Sequence, residues 1–299
     1  MLIAAIVALC WIDARASVPG IWFLPLAVVV GLLATSELLR LFAARGMTPL
    51  PWAMYLGNTL VILSNWAPHA WGQFGHADNT TLGPLAWPAV ALAAAVLLIF
   101  SGEMLRYTGP HGITERLALA LFAVVYVGFC LSFIIALRFL GPRGGAPGAW
   151  GLPALASLIL VVKLGDTGAY TVGRLVGRHK MAPRLSPGKT IEGAVGGLAF
   201  SCLGAWFALE WLLPAMSDAT TRNAVTSAGP WWGWIVYGLL VGAAGMLGDL
   251  AESLLKRDAG LKDSSAWMPG FGGVLDIIDS LLLAAPVAWL CWALGIAGR

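Results

Sequence analysis

The chain has 299 residues, 59% of them hydrophobic and only 11% charged, with a mean hydropathy of +0.81. A soluble domain carries about 25% charge, so this composition excludes an ordinary water-soluble fold and points to an integral membrane protein. The net charge of +3 is spread thinly, with no basic stripe interleaved with aromatics, which argues against a nucleic-acid partner.

Apolar stretches long enough to cross a bilayer recur along the chain. They predict an all-α polytopic membrane protein of about nine transmembrane helices, over 1–13, 20–43, 50–67, 83–102, 116–139, 150–173, 191–213, 232–255 and 274–297. The first has no basic segment ahead of its apolar run and reads as a short span rather than a cleaved leader. It crosses alone only if it tilts little or the bilayer thins. Glycine and proline punctuate the connections at Gly46 to Pro49, Gly141 to Gly145 and Pro183 to Gly188. The four cysteines (Cys10, Cys130, Cys202, Cys291) lie in apolar runs without CxxC spacing and read as small buried hydrophobes. Residues 1–150 supply about five helices. Residues 151–299 carry the polar chemistry, with loops at 174–190 and 256–273, and no internal repeat divides this single membrane domain.

Charge sets the orientation. With nine spans and a cytoplasmic N-terminus, twelve of the 18 Lys and Arg fall on one side and five on the other, with Lys163 inside a span. The positive-inside rule therefore puts both polar loops in the cytoplasm, and the expected location is the cell inner (plasma) membrane with the site facing the cytoplasm. The fifteen tryptophans gather near span ends, as at Trp231, Trp232 and Trp234, where headgroup-level anchors belong.

Two regions break the apolar pattern. Span six holds Lys163 and Asp166, three residues apart and so on one helix face, with Tyr170 a turn further on. A pair that merely packs helices is the bland explanation, but membranes rarely keep such charges idle. Gly173, Arg174, Gly177, Arg178 and Lys180 follow, then Ser186-Pro187-Gly188-Lys189-Thr190 and Glu192. Glycines that admit a backbone close to a ligand and cations that pair with phosphate suit a polyphosphate site. The Gly188-Lys189-Thr190 tripeptide is no P-loop, since Pro183 stands where the motif needs its first glycine. Ser186 reads as a helix start, which places a helix N-terminus beside Lys189 as an anion site.

The second region runs from Gly248 to Asp279, with six acidic and three basic side chains between two apolar spans. Asp249, Glu252, Ser253 and Lys256 share one helical face, and Asp276 and Asp279 open span nine after a Gly-rich turn. Two carboxylate-bearing helix ends joined by a short loop can share a divalent ion, and Mg²⁺ takes one or two carboxylates plus substrate phosphates. With lysines nearby, this is the equipment of metal-assisted phosphoryl or nucleotidyl transfer. An N-cap at Asp276 and an i,i+4 pair of Glu252 with Lys256 would explain single members of the cluster, but not all of it.

These residues resemble the phosphatidate cytidylyltransferase (CDP-diacylglycerol synthase) family. That family's Ser-x-hydrophobic-Lys-Arg-x4-Lys-Asp and Pro-Gly-His-Gly-Gly-x-x-Asp-Arg-x-Asp segments look like Ser253 to Arg257, Lys262-Asp263 and Pro269 to Asp279. Its Asp-Thr-x-Ala-Tyr and Ser-Pro-x-Lys-Thr-x-Glu-Gly features look like Asp166 to Tyr170 and Ser186 to Gly193. The likeness covers the chain from about residue 160 onward, and the earlier part matches only in being spans. Phe271 replaces the family histidine and Ile277 the family arginine. The acids and lysines are intact, so the two read as dispensable in a subgroup.

The resemblance implies condensation of CTP with phosphatidic acid to CDP-diacylglycerol and pyrophosphate, in homodimers embedded in the lipid bilayer. It implies Asp249, Asp276 and Asp279 as ligands of Mg²⁺, either two divalent ions or one with a monovalent cation. Ser253 and Lys256 would hold the reacting phosphates and Lys163 and Asp166 complete the site. Ser186, Lys189, Thr190, Lys262 and Asp263 would bind the nucleotide. A CTP-dependent kinase or cytidylyltransferase acting on an isoprenoid lipid is the second enzyme reading, and an ion or anion transporter is the reading from another class.

Overall fold

In hydrocarbon the backbone of an apolar run is satisfied only within a helix or a closed barrel, and these runs fold as helices. The computed structural model describes residues 12–13, 20–68, 85–109, 112–141, 150–216, 230–261, 264–265 and 272–297. Among the described residues, seven helices are long and apolar enough to span a membrane. They are α1 Phe23–Ala44, α3 Ala86–Leu105, α4 Ile113–Arg138, α5 Gly151–Val176, α6 Ile191–Met216, α7 Gly233–Asp258 and α8 Val274–Ala293. The span expected over 50–67 is the 14-residue helix α2, Pro51–Ser64. Proline at its first position and the turn at Asn65 end it at about 21 Å, short of a hydrocarbon core. The span expected over 1–13 lies almost wholly outside the described residues, so a multi-pass α-helical protein stands, with seven of the nine expected spans found among the described residues.

The chain divides into two compact units, Met1–Ala136 with Asp258–Ile277, and Leu137–Arg257 with Ile278–Arg299. In the first, helices α1 to α4 bury Leu38, Met54, Val61, Ile62, Ile99 and Val127. Polar stitches join them: Asn58 Nδ2 donates to Thr35 Oγ1 at 2.7 Å and Asn65 Nδ2 to Ser132 Oγ at 3.0 Å. Arg116 donates from Nε to the buried Glu103 Oε2 at 3.0 Å, with Nη2 2.9 Å away, so this carboxylate is charge-paired rather than stranded. Helix α4 widens to π-helical turns over Val124–Phe129, where Gly128 packs flat on Asn58.

In the second unit α5 and α6 approach through small residues, the usual currency of membrane helix packing. A Cβ on Gly168 would stand 2.5 Å from Phe200, and one on Gly196 2.5 Å from Val172. Helix α7 closes on α8 in the same manner, since a Cβ on Gly248 would lie 2.5 Å from the Asp279 carbonyl oxygen. Buried Tyr237 and Ser157 hydrogen-bond at 2.7 Å, joining α7 to α5.

One expectation is overturned between α5 and α6. The helix expected to start near Ser186 starts at Ile191, because Ser186–Thr190 (β2) pairs antiparallel with Lys180–Ala182 (β1). The register sets Lys180 against Thr190 and Ala182 against Ser186, with an irregularity between. Among the described residues, a fold built of helices thus carries one small hairpin.

Candidate active site

The hairpin is held by local chemistry at both ends. Thr190 is the N-cap of α6: extended, with Oγ1 accepting from Gly193 N at 3.1 Å. Ile191 N donates to the His179 carbonyl at 2.9 Å. The Glu192 carboxylate, in the first turn of α6, accepts from Arg178 N and His179 N and pairs with His179 Nδ1 at 2.6 Å. Negative charge there also suits the helix dipole. The segment leaving α5 is thereby folded back onto the start of α6, and Arg257 Nε reaches the Leu185 carbonyl at 3.2 Å.

This arrangement encloses a cavity of about 390 Å³, within the second unit, lined by Asp166 and Tyr170 of α5, Ser186, Lys189 and Thr190 of the hairpin, and Asp249 of α7. The volume suits a small molecule. Lys189 Nζ pairs with Asp249 Oδ2 at 2.5 Å, and Lys163 Nζ with Asp166 Oδ2 at 3.2 Å. Arg174 donates to the Tyr170 hydroxyl at 3.0 Å and also lines the space. Asp166 lies in the electrostatic field of both Asp249 and Lys189. Residues 83 apart in sequence therefore meet as two carboxylates and an ammonium facing one void. Such a set binds a phosphate-bearing ligand through the cation and a hard cation through the carboxylates.

Asp279 is 5% exposed in the same unit, within electrostatic reach of Asp249 and Lys163. Its Oδ1 accepts from Ser280 N at 2.5 Å and from Ser280 Oγ at 3.1 Å. Among the described residues no three His, Cys, Asp or Glu side chains cluster closely enough to enclose a metal alone. The donor chemistry nevertheless fits Mg²⁺, an ion that rests on one or two carboxylates and takes its other ligands from water and substrate phosphate. Asp166 and Asp249 are such a pair, with oxygen donors and open space before them.

The other expected residues fall elsewhere. Ser253 and Lys256 lie further along α7, where Lys256 Nζ pairs with the buried Glu252 at 2.6 Å. Asp276 belongs to the first unit, where its Oδ2 accepts from Gly273 N at 2.7 Å and from Ser264 N at 3.2 Å. Ile277 is half-buried in that unit, while Lys262, Asp263 and Phe271 lie outside the described residues. Sequence reasoning missed Glu37. It is a lone acid among apolar residues of α1, and that isolation was the available signal.

Residues 1–294 match the profile of the Cytidylyltransferase family. The phosphatidate cytidylyltransferase of Haemophilus influenzae is 40% identical over 136 residues, covering 46% of this chain and 44% of that protein. The Bacillus subtilis phosphatidate cytidylyltransferase is 32% identical over 206 residues, 69% of this chain and 68% of its own. The Synechocystis phosphatidate cytidylyltransferase is 28% identical over 297 residues, 90% of this chain and 88% of its own. The match thus spans less than half of the Haemophilus protein and most of the Synechocystis one.

Proposed function

Because the chain belongs to the Cytidylyltransferase family, we propose that it is a multi-pass membrane nucleotidyltransferase that condenses CTP with phosphatidic acid, giving CDP-diacylglycerol and pyrophosphate. The observation that carries this reading is the cavity where Lys189, Ser186 and Thr190 face Asp166 and Asp249. A phosphate oxygen of the lipid attacks the α-phosphorus of CTP, the bond to the bridging oxygen breaks, and pyrophosphate leaves with that electron pair. Little of this is covalent chemistry for the protein, so positioning and charge are its contribution.

Lys189 supplies the cation for the nucleotide phosphates, exchanging Asp249 for phosphate as CTP enters. Ser186 offers a hydroxyl, and the start of α6 behind Thr190 offers backbone N–H groups and the positive end of a helix dipole. Asp166, Asp249 and the nearby Asp279 are the residues that would hold Mg²⁺, which when bound neutralises charge on the phosphates. Lys163 tempers Asp166 and keeps the two carboxylates from repelling one another unopposed. A site between spanning helices and the hairpin that joins two of them lets the lipid substrate keep its tails in the bilayer while its headgroup meets CTP on the cytoplasmic side of the inner membrane.

The test is purified protein in mixed micelles with phosphatidic acid and labelled CTP. Label from the α-phosphate should pass to a lipid and label from the γ-phosphate should remain in water, with turnover lost on chelating divalent ions and restored by Mg²⁺. Transfer of γ-label to lipid would make the protein a kinase and end this reading.

A further inference from the structure

Glu37 is 3% exposed and the only acidic residue in α1. A carboxylate so placed is costly unless fully engaged. Its Oε1 accepts from Val274 N at 2.8 Å, and its Oε2 from Leu275 N and Ser264 Oγ, each at 2.8 Å. Val274 and Leu275 open α8, where backbone N–H groups have no partner within the helix. Arg40, one turn along α1, donates to Ser265 Oγ at 3.1 Å, so α1 grips two consecutive serines with side chains of opposite sign. Asp276 Oδ2 accepts from Ser264 N at 3.2 Å and lies 2.7 Å from Ser264 Oγ, whose one proton serves either carboxylate, so the serine that Glu37 holds is the one that holds Asp276. Gly273 completes the fit, because a Cβ there would overlap both Glu37 and Ser264. Every one of these groups belongs to the first unit.

We infer that Glu37 is a positioning residue. From α1 it fixes the start of α8 and, through Ser264, the direction of the Asp276 carboxylate. The inference rests on the proposed cytidylyl transfer only for its kcat arm, through the metal-ligand role that the family resemblance gives Asp276.

Three variants test it: Glu37→Gln, Ser264→Ala and, as control, Glu103→Gln, which removes an equally buried carboxylate of the same unit. Glu37→Gln should speed amide exchange across 273–276 roughly tenfold or more. It should also lower kcat roughly tenfold while KM for CTP stays within about twofold. Ser264→Ala should lower kcat with Val274 and Leu275 still protected, and Glu103→Gln should lower thermal stability without either effect. Unchanged exchange at 273–276 in Glu37→Gln, or a kcat loss matched by Glu103→Gln, overturns the inference. Should Glu37→Gln not fold, Gly273→Ala intrudes on the same anchor with Glu37 kept, and the same two readouts decide. If the wild type forms no CDP-lipid, the proposed function falls. The exchange measurement then still judges the anchor.

Discussion

At the scale of single residues, magnitude separates the two ion pairs of α7. The Lys189 and Asp249 side chains retain 25% and 37% exposure, so their pair adds at most about 1 kcal/mol to stability. A charge-assisted contact from Lys189 to a polyphosphate is worth about 3 kcal/mol, on the order of 100-fold in rate. Lys189→Met is therefore expected to cut kcat/KM for CTP by roughly 100-fold, with its thermal midpoint moved by no more than about 2 °C. Steady-state kinetics and a melting curve on one preparation check both halves, and a variant that melts early while turning over normally would make Lys189 structural. Glu252 is the opposite case. It is 1% exposed and its partner Lys256 14%, so losing its charge removes the carboxylate that balances a half-buried ammonium, at a cost of about 3 kcal/mol. Glu252→Gln should lower the melting midpoint by roughly 5 °C or more. A midpoint equal to wild type would show that the pair is idle.

At the scale of elements, the hairpin cap Thr190, which also lines the cavity, links helix stability to nucleotide binding. Thr190 Oγ1 satisfies Gly193 N, and Thr190→Val keeps the shape while removing the acceptor, at a cost of about 1 kcal/mol. Frayed α6 and β2 should then raise KM for CTP, and Thr190→Ser, which keeps the hydroxyl, should restore it. Equal KM values for the two variants would separate the cap from nucleotide binding. The same element shows what sequence could reveal. Seven spans were legible because twenty apolar residues leave the backbone little choice but a helix. Ser186 suggested a helix start by local rules, yet pairing with Lys180–Ala182 carried the residue into a strand, and pairing is not written in a local pattern. Asp166, Lys189 and Asp249 were legible as charges out of place, and the cavity brings all three together. Glu37 was not, because its partners lie 227 to 238 residues away and nothing periodic connects them.

At the scale of the whole molecule, function depends on which side of the membrane the hairpin faces, and charge bias argues that case. Lys180, Arg184 and Lys189 lie on or between its strands, with Arg174 and Arg178 just before it. Five cations within sixteen residues next to a span is the pattern retained on the cytoplasmic side. CTP is a cytosolic molecule, so the proposed reaction demands the same orientation. Gly188 is the position at which to read it: exposed, on β2, and with nothing within 4 Å of an added Cβ, so a cysteine there disturbs no packing. Among the native cysteines described, Cys130 and Cys291 are buried and Cys202 half-buried, which keeps their background low. A membrane-impermeant maleimide should label Gly188→Cys in inverted vesicles and leave it unlabelled in right-side-out ones, with saturating CTP slowing the labelling. Label appearing only in right-side-out vesicles would put the cavity on the face that CTP does not reach, and both the orientation and the proposed reaction would fail with it.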